Sequence, residues 1–230
     1  MNRFHALILA LVPTLCVGMH VPTLGVVEVR GQKSEVRSQK SEVVPHRSPL
    51  NPRPSPVPTH TRLAVIQPAP EFALTTQSGD KLSSDNLKGK ILLISFIFTT
   101  CNGTCPATTH RMSQIQDELK ARGLFKNDLV RLLSISLDPT RDTPEVIKGY
   151  MKLYDADPDH WSFLTGPADQ VSAVVKSWGM WAKAAANGQL DHPSRIFLVD
   201  SQSRIREIYN LSFLKPKWVA QDVELLLQEP

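Results

Sequence analysis

The chain has 230 residues, 41% of them hydrophobic and 21% charged, with 26 Lys/Arg against 22 Asp/Glu and a net charge of +4. That length supports a real core, and the ordinary composition excludes collagen-like, low-complexity and disulfide-dense classes. The basic excess also excludes a nucleic-acid role. Seven Lys/Arg oppose three Asp/Glu between Glu28 and Arg62, whereas 18 basic and 19 acidic residues nearly cancel from Leu63 onward. A nucleic-acid binder carries its positive patch on the folded domain.

In chain order, Arg3 precedes the apolar stretch ALILALVPTLCVGM, Ala6–Met19. This layout predicts that residues 1–19 are a secretory signal, cleaved after Gly18, or an uncleaved anchor extended by the apolar residues of Val21–Val29. Leu15 argues against a lipoprotein signal at Cys16, where a small residue is wanted before the cysteine. Residues 20–62 read as a disordered spacer. RGQKSEV and RSQKSEV repeat in tandem over Arg30–Val43, and Pro45–Pro58 holds six prolines in 14 residues. Two short repeats make no solenoid, and proline at that density favours an extended chain.

The folded domain is expected over 63–230. A short strand is predicted around Phe72–Leu74. ILLISFIF, Ile91–Phe98, is a continuous apolar run of the kind buried on both faces of a sheet. Pro106–Arg122 follows as a helix, with Met112, Ile115 and Leu119 on one stripe. Val130–Leu137 reads as a second buried strand. In Asp142–Tyr154, Thr143 can cap a helix, Pro144 suits its first position, and Val146, Ile147, Tyr150 and Leu153 form the expected stripe. A helix over Gln170–Trp178, a hairpin of RIFLVD and RIREIY (Arg195–Asp200 and Arg204–Tyr209), and a closing helix over Trp218–Leu227 complete the order. Strand–helix–strand imposes a right-handed parallel crossover, and the late hairpin adds antiparallel strands. The predicted class is α/β, a thioredoxin-like fold with a mixed central sheet flanked by helices.

The chemistry centres on FTTCNGTCP, Phe98–Pro106. Of three cysteines, Cys16 lies in the signal, leaving Cys101 and Cys105 between the first buried strand and the first helix. A stapled secreted scaffold would use several dispersed pairs instead. A helix N-terminus favours thiolate, which is both the nucleophile and the soft-metal ligand. Residues i and i+4 share a helical face, so both sulfurs can point to one centre. Three intervening residues separate this pair from the C-x-x-C of thioredoxins.

A metal site needs a third ligand. Of seven histidines, His5 and His20 lie in or beside the signal, and His46 and His60 lie in the spacer. His110 and His160 are expected to face solvent. His192, in LDHPSRIFLVD, precedes a predicted strand whose entering loop faces the cysteine-bearing helix end in a thioredoxin-like sheet. A Cys–Cys–His set suits Cu(I) and can hold Cu(II), whereas zinc wants a fourth ligand or water. A peroxiredoxin-like peroxidase is not supported, because Pro and Thr are missing seven and three residues before either cysteine.

Over Pro68–Leu227 the sequence resembles the Sco/SenC family of copper-binding, thioredoxin-like assembly factors for cytochrome c oxidase. The resemblance rests on LKGK (Leu87–Lys90), FTTCNGTCP, SISLDPTRDTPEVIKGY (Ser134–Tyr150), FLTG (Phe163–Gly166) and DHPSRIFLVD. Many relatives carry C-P-x-x-C, and Asn102 replaces that proline here. The resemblance implies Cys101, Cys105 and His192 as copper ligands, with Asp138 near the site and influencing its redox behaviour. It implies a copper chaperone serving the dinuclear copper site of a terminal oxidase subunit, with another periplasmic copper carrier as a further partner. The alternative is an enzyme, a thiol–disulfide reductase using Cys101 and Cys105 to keep the oxidase's copper-ligand cysteines reduced. Either protein would be exported, periplasmic or anchored to the cytoplasmic membrane through its N-terminus.

Overall fold

The computed structural model describes residues 63–229, so the predicted signal or anchor and the spacer lie outside the described residues. The elements run β1 (Gln67–Pro68), β2 (Ala73–Thr76), β3 (Lys81–Ser83), β4 (Ile91–Ile97), α1 (Thr104–Ala121), β5 (Val130–Ser136) and α2 (Pro144–Lys152). They continue with β6 (Trp161–Thr165), α3 (Ala168–Ser177), β7 (Lys183–Ala184), β8 (Leu190–Asp191), β9 (Ile196–Val199), β10 (Arg204–Tyr209) and α4 (Pro216–Leu227).

Eight strands form one mixed sheet in the order β1-β10-β9-β4-β5-β6-β2-β3, and β7 pairs with β8 separately. This is the predicted thioredoxin-like α/β architecture. All seven residues of β4 are buried, as expected of a central strand covered by helices on both faces. Each fully buried Leu or Ile of this kind contributes about 1.5–3 kcal/mol. β4 and β5 are parallel, with Ile91 opposite Val130 and Ile97 opposite Ser136. The intervening α1 makes the crossover.

On the other side, β9 runs antiparallel to β4, pairing Ser95 with Ile196 and Leu92 with Val199. This direction positions the site, because the start of β9 lies beside the end of β4. The chain therefore approaches β9 where it also leaves β4 for the cysteines.

α1 begins at Thr104, two residues before the expected start, so Cys105 and Pro106 lie in its first turn. Proline is tolerated there because the first-turn N–H groups have no partner within the helix. Its buried stripe includes Cys105, Thr108, Met112, Ile115 and Leu119. Cys105 thus extends the stripe read from Met112 onward by two further turns. α1 packs against α4, and Arg122 donates to Glu224 across them at 3.0 Å.

In α2, Thr143 accepts the Val146 N–H and Pro144 opens the helix, as expected. The stripe differs. Ile147, Tyr150 and Met151 are buried, whereas Val146 and Leu153 are exposed. The helix ends at Lys152, so Leu153 is released before it can face the sheet.

Candidate metal centre

The end of β4 delivers Phe98, Thr99 and Thr100 into the cysteine loop. Phe98 remains buried, and Asp142 anchors the next residue. Asp142 is fully buried and accepts the Thr99 hydroxyl at 2.6 Å, the Thr99 N–H at 3.2 Å and the Ser136 hydroxyl at 2.6 Å. Burial pushes its carboxyl above the usual range, against the hydrogen bonds from Ser136 and Thr99. One carboxylate thereby ties the end of β5 to the start of the loop.

Cys101 is half-buried in the loop, and Cys105 is buried at the start of α1; both are free thiols. The Gly103 N–H donates to Cys101 Sγ at 3.3 Å. The sequence suggested that the helix N-terminus would favour thiolate. For Cys105 the opposite holds. Burial pushes its thiol well above the ordinary range, against a hydrogen bond from the Phe98 backbone. Desolvation outweighs that bond because Cys105 belongs to the apolar stripe of α1.

His192 lies between β8 and β9, followed by Pro193, which biases it towards extended backbone. Its Nδ1 lies 3.1 Å from the Pro193 carbonyl oxygen. A carbonyl only accepts, so Nδ1 carries the proton and Nε2 presents its lone pair. Nε2 is 3.3 Å from Cys105 Sγ, and the Phe98 ring meets the imidazole edge-on at 5.7 Å between centroids. Burial lowers the His192 pKa, outweighing the hydrogen bond to Pro193, and so favours the neutral ring.

The ligand atoms of Cys101, Cys105 and His192 all lie within 4.8 Å of one another. Two sulfurs and an imidazole nitrogen at this separation fit a soft, low-coordinate metal ion once the thiols lose their protons. A cleft of about 230 Å³ opens over Cys101, Asn102, Gly103, Thr104 and Gln189–His192. A larger groove of about 750 Å³ lies between α1 and the start of α4 and contains none of these residues.

Asp138 is not part of this cluster. It pairs with Arg141, whose Nη2–H donates to the Gly188 carbonyl at 2.8 Å. Asp138 therefore bears on the turn between β7 and β8. His110 is exposed as expected. His160 is not. It is half-buried, its ring centroid 4.2 Å from that of Phe125 and its Nδ1 3.1 Å from Asp157. Asp142 and Gln189, which brace the cysteine loop, lie outside the set of residues expected from sequence. Asp142 has a readable signal, a carboxylate just ahead of a capped helix. Gln189 has none.

Among the described residues, no helix is long and apolar enough to cross a membrane. The family model described as SCO1/SenC matches residues 63–228. A SCO1 protein homolog of Bacillus subtilis is 34% identical over 142 residues, 60% of this chain and 72% of that protein. The copper-bound structure of Bradyrhizobium japonicum ScoI is similar at a TM-score of 0.60 and 30% identity, over 69% of this chain and 98% of that one. BsSco, described as a member of the Sco family of cytochrome c oxidase assembly proteins with a disulfide switch, matches at a TM-score of 0.61 and 31% identity, over 71% of this chain and 95% of that one.

Proposed function

The chain belongs to the SCO1/SenC family, and from that premise we propose that it is a copper-binding metallochaperone for a terminal cytochrome c oxidase. Cys101, Cys105 and His192 hold the copper, and the recipient is the dinuclear copper site of the oxidase. The observation that carries this reading is the convergence of two sulfurs and Nε2 within 4.8 Å. Copper-bound B. japonicum ScoI and the oxidase-assembly role stated for BsSco support it.

The residues divide the work. The Pro193 carbonyl fixes the His192 tautomer, keeping the Nε2 lone pair towards Cys105. Cys105, the buried ligand, must give up its proton as copper arrives, so loading releases protons. Cys101 sits on the open side, where a recipient's ligands can approach and exchange. Asp138 acts at a distance by holding Arg141 against the β7–β8 turn.

The N-terminal apolar stretch supports export and residence on the outer side of the cytoplasmic membrane, free or anchored. Another periplasmic copper carrier is a second partner in this scheme.

A specific observation favours the reductase alternative as well. Cys101 is accessible while Cys105 is buried beside it, the arrangement in which an outer thiolate attacks a target disulfide and the inner thiol resolves the mixed disulfide. The target leaves as a dithiol, and Cys101 and Cys105 leave as a disulfide. The two readings separate with a soluble oxidase fragment carrying the copper-site cysteines. Copper-loaded protein should transfer its ion to the reduced, metal-free fragment. Reduction of the oxidised fragment by copper-free protein, with no metal transfer to the reduced one, would replace chaperoning by the reductase reading.

A further inference from the structure

The turn joining β7 to β8 does more than lead the chain to His192. Asn187 and Gly188 take positive φ of 60° and 70°, conformations that favour Asn and Gly, and bring Gln189 over the cysteine loop. Gln189 Oε1 accepts the Asn102 N–H at 3.1 Å, and its Nε2–H donates to the Thr100 carbonyl at 3.1 Å. These backbone groups stand on either side of Cys101. A residue in a parallel ladder brackets its neighbour in the same way, accepting from the residue after it and donating to the residue before it. One side-chain amide therefore does for Cys101 what an adjacent strand would do.

The turn is itself held from the other side. Arg141 donates to the Gly188 carbonyl at 2.8 Å and is fixed by Asp138. Three residues after Gln189 comes His192, whose Nε2 touches Cys105. The segment Gly188–His192 thus contacts both cysteines, Cys101 through its flanking backbone and Cys105 through its sulfur.

The geometry points to Gln189 as a positioning residue that holds Cys101 in its dithiol arrangement and so sets the thiol–disulfide equilibrium of the Cys101–Cys105 pair. Oxidation takes two electrons and two protons from the thiols as the S–S bond forms. With glutathione disulfide as acceptor, two glutathione thiols result and the balance closes. The bonds from Gln189 are those of the dithiol form; the inference is that S–S formation draws the Cys101 backbone away from them, so that their loss favours the disulfide. This inference deepens the reading of the site but concerns the metal-free pair, and it stands or falls separately from copper binding.

The test uses the metal-free full chain equilibrated in glutathione redox buffers, with free thiols trapped by alkylation and the peptide bearing Cys101 and Cys105, apart from Cys16, read by mass. Two neutral hydrogen bonds at roughly 0.5–1.5 kcal/mol each predict that Gln189→Ala shifts the equilibrium towards the disulfide by about 10-fold, about 30 mV for a two-electron couple. Gln189→Glu is the second variant. It keeps an acceptor for the Asn102 N–H but sets a carboxylate against the Thr100 carbonyl, and should shift the equilibrium in the same direction. Exchange of the Asn102 amide hydrogen should accelerate in Gln189→Ala. An equilibrium constant within twofold of the parent in both variants overturns the inference, as does unchanged Asn102 exchange.

Discussion

Cys105 Sγ and His192 Nε2, 87 residues apart in sequence, lie 3.3 Å apart beyond the end of the central strand β4. The contact follows from topology. β9 runs antiparallel beside β4, so the residues that precede β9 meet those that follow β4. The second sulfur, on Cys101, completes a donor set within 4.8 Å.

The two thiols differ in environment and should differ in reactivity. Cys105 is 1% exposed and its thiol is pushed up by burial, whereas Cys101 is half-buried on an open loop. Iodoacetamide should modify Cys101 at least about 10-fold faster than Cys105 at pH 7.5, since the thiolate is the reacting species. Peptide mapping after partial alkylation measures the ratio. Preferential labelling of Cys105 would contradict the assignment of Cys101 as the accessible thiol.

Asp142 makes a pH prediction with a definite sign. Burial raises its carboxyl pKa in the folded protein, so the folded state binds the proton more tightly than the unfolded one. Its contribution to stability is therefore greatest below the ordinary carboxylate pKa and declines as pH rises through the raised one. The stability of the parent relative to Asp142→Asn should fall between pH 4 and pH 7 in urea unfolding. Parallel pH profiles would refute this. Asp142→Ala, which leaves the Thr99 and Ser136 donors unpaired, should cost about 2 kcal/mol or more.

How much of this was legible from the residues depended on how local the cause was. β4 and β5 announce themselves as apolar runs, and the β9–β10 hairpin by its turn. Cys101, Cys105 and His192 could be named because residue type and position along a thioredoxin-like chain restrict the choice. β6 could not be read, because WSFLT after an acidic loop is short and mixed, and its strand form comes from pairing Trp161 with Leu132 and Phe163 with Ser134. The β7–β8 pair is two residues a side with no alternation to detect. Gln189 is invisible for the same reason, since its partners Thr100 and Asn102 are backbone groups nearly 90 residues away. The upward push on the Cys105 thiol is not legible either, because the helix end is a local feature of the sequence and burial is not.

The far end of β9 supplies a control that separates fold from site. Arg206 is buried and donates to Asp200 at 2.9 Å, to Glu229 at 2.6 and 2.7 Å, and to the Leu63 carbonyl at 2.7 Å. Arg206→Met removes a cation from buried Asp200 and should destabilise the domain by about 3 kcal/mol while leaving metal affinity within about threefold. The Arg206 hydrogen bond holds the Glu229 carboxyl below its usual range. At Asp200, burial opposes the charge, but Arg204 and Arg206 outweigh it. Their contribution is present above the ordinary carboxylate pKa and is lost as pH falls through the lowered values, so the parent should lose more stability than the variant in acid. A large loss of metal binding in folded Arg206→Met would break the separation.

The central claim is that Cys101, Cys105 and His192 together hold copper. The most direct measurement is a competitive Cu(I) titration of the reduced protein beside Cys101→Ser, Cys105→Ser and His192→Ala, each shown to be folded by circular dichroism. The account predicts one equivalent bound by the parent and an affinity loss of about 100-fold or more in every variant, at the upper end of what losing a supporting residue of a metal site costs. Parent-like affinity in His192→Ala, or no stoichiometric copper in the parent, would contradict it.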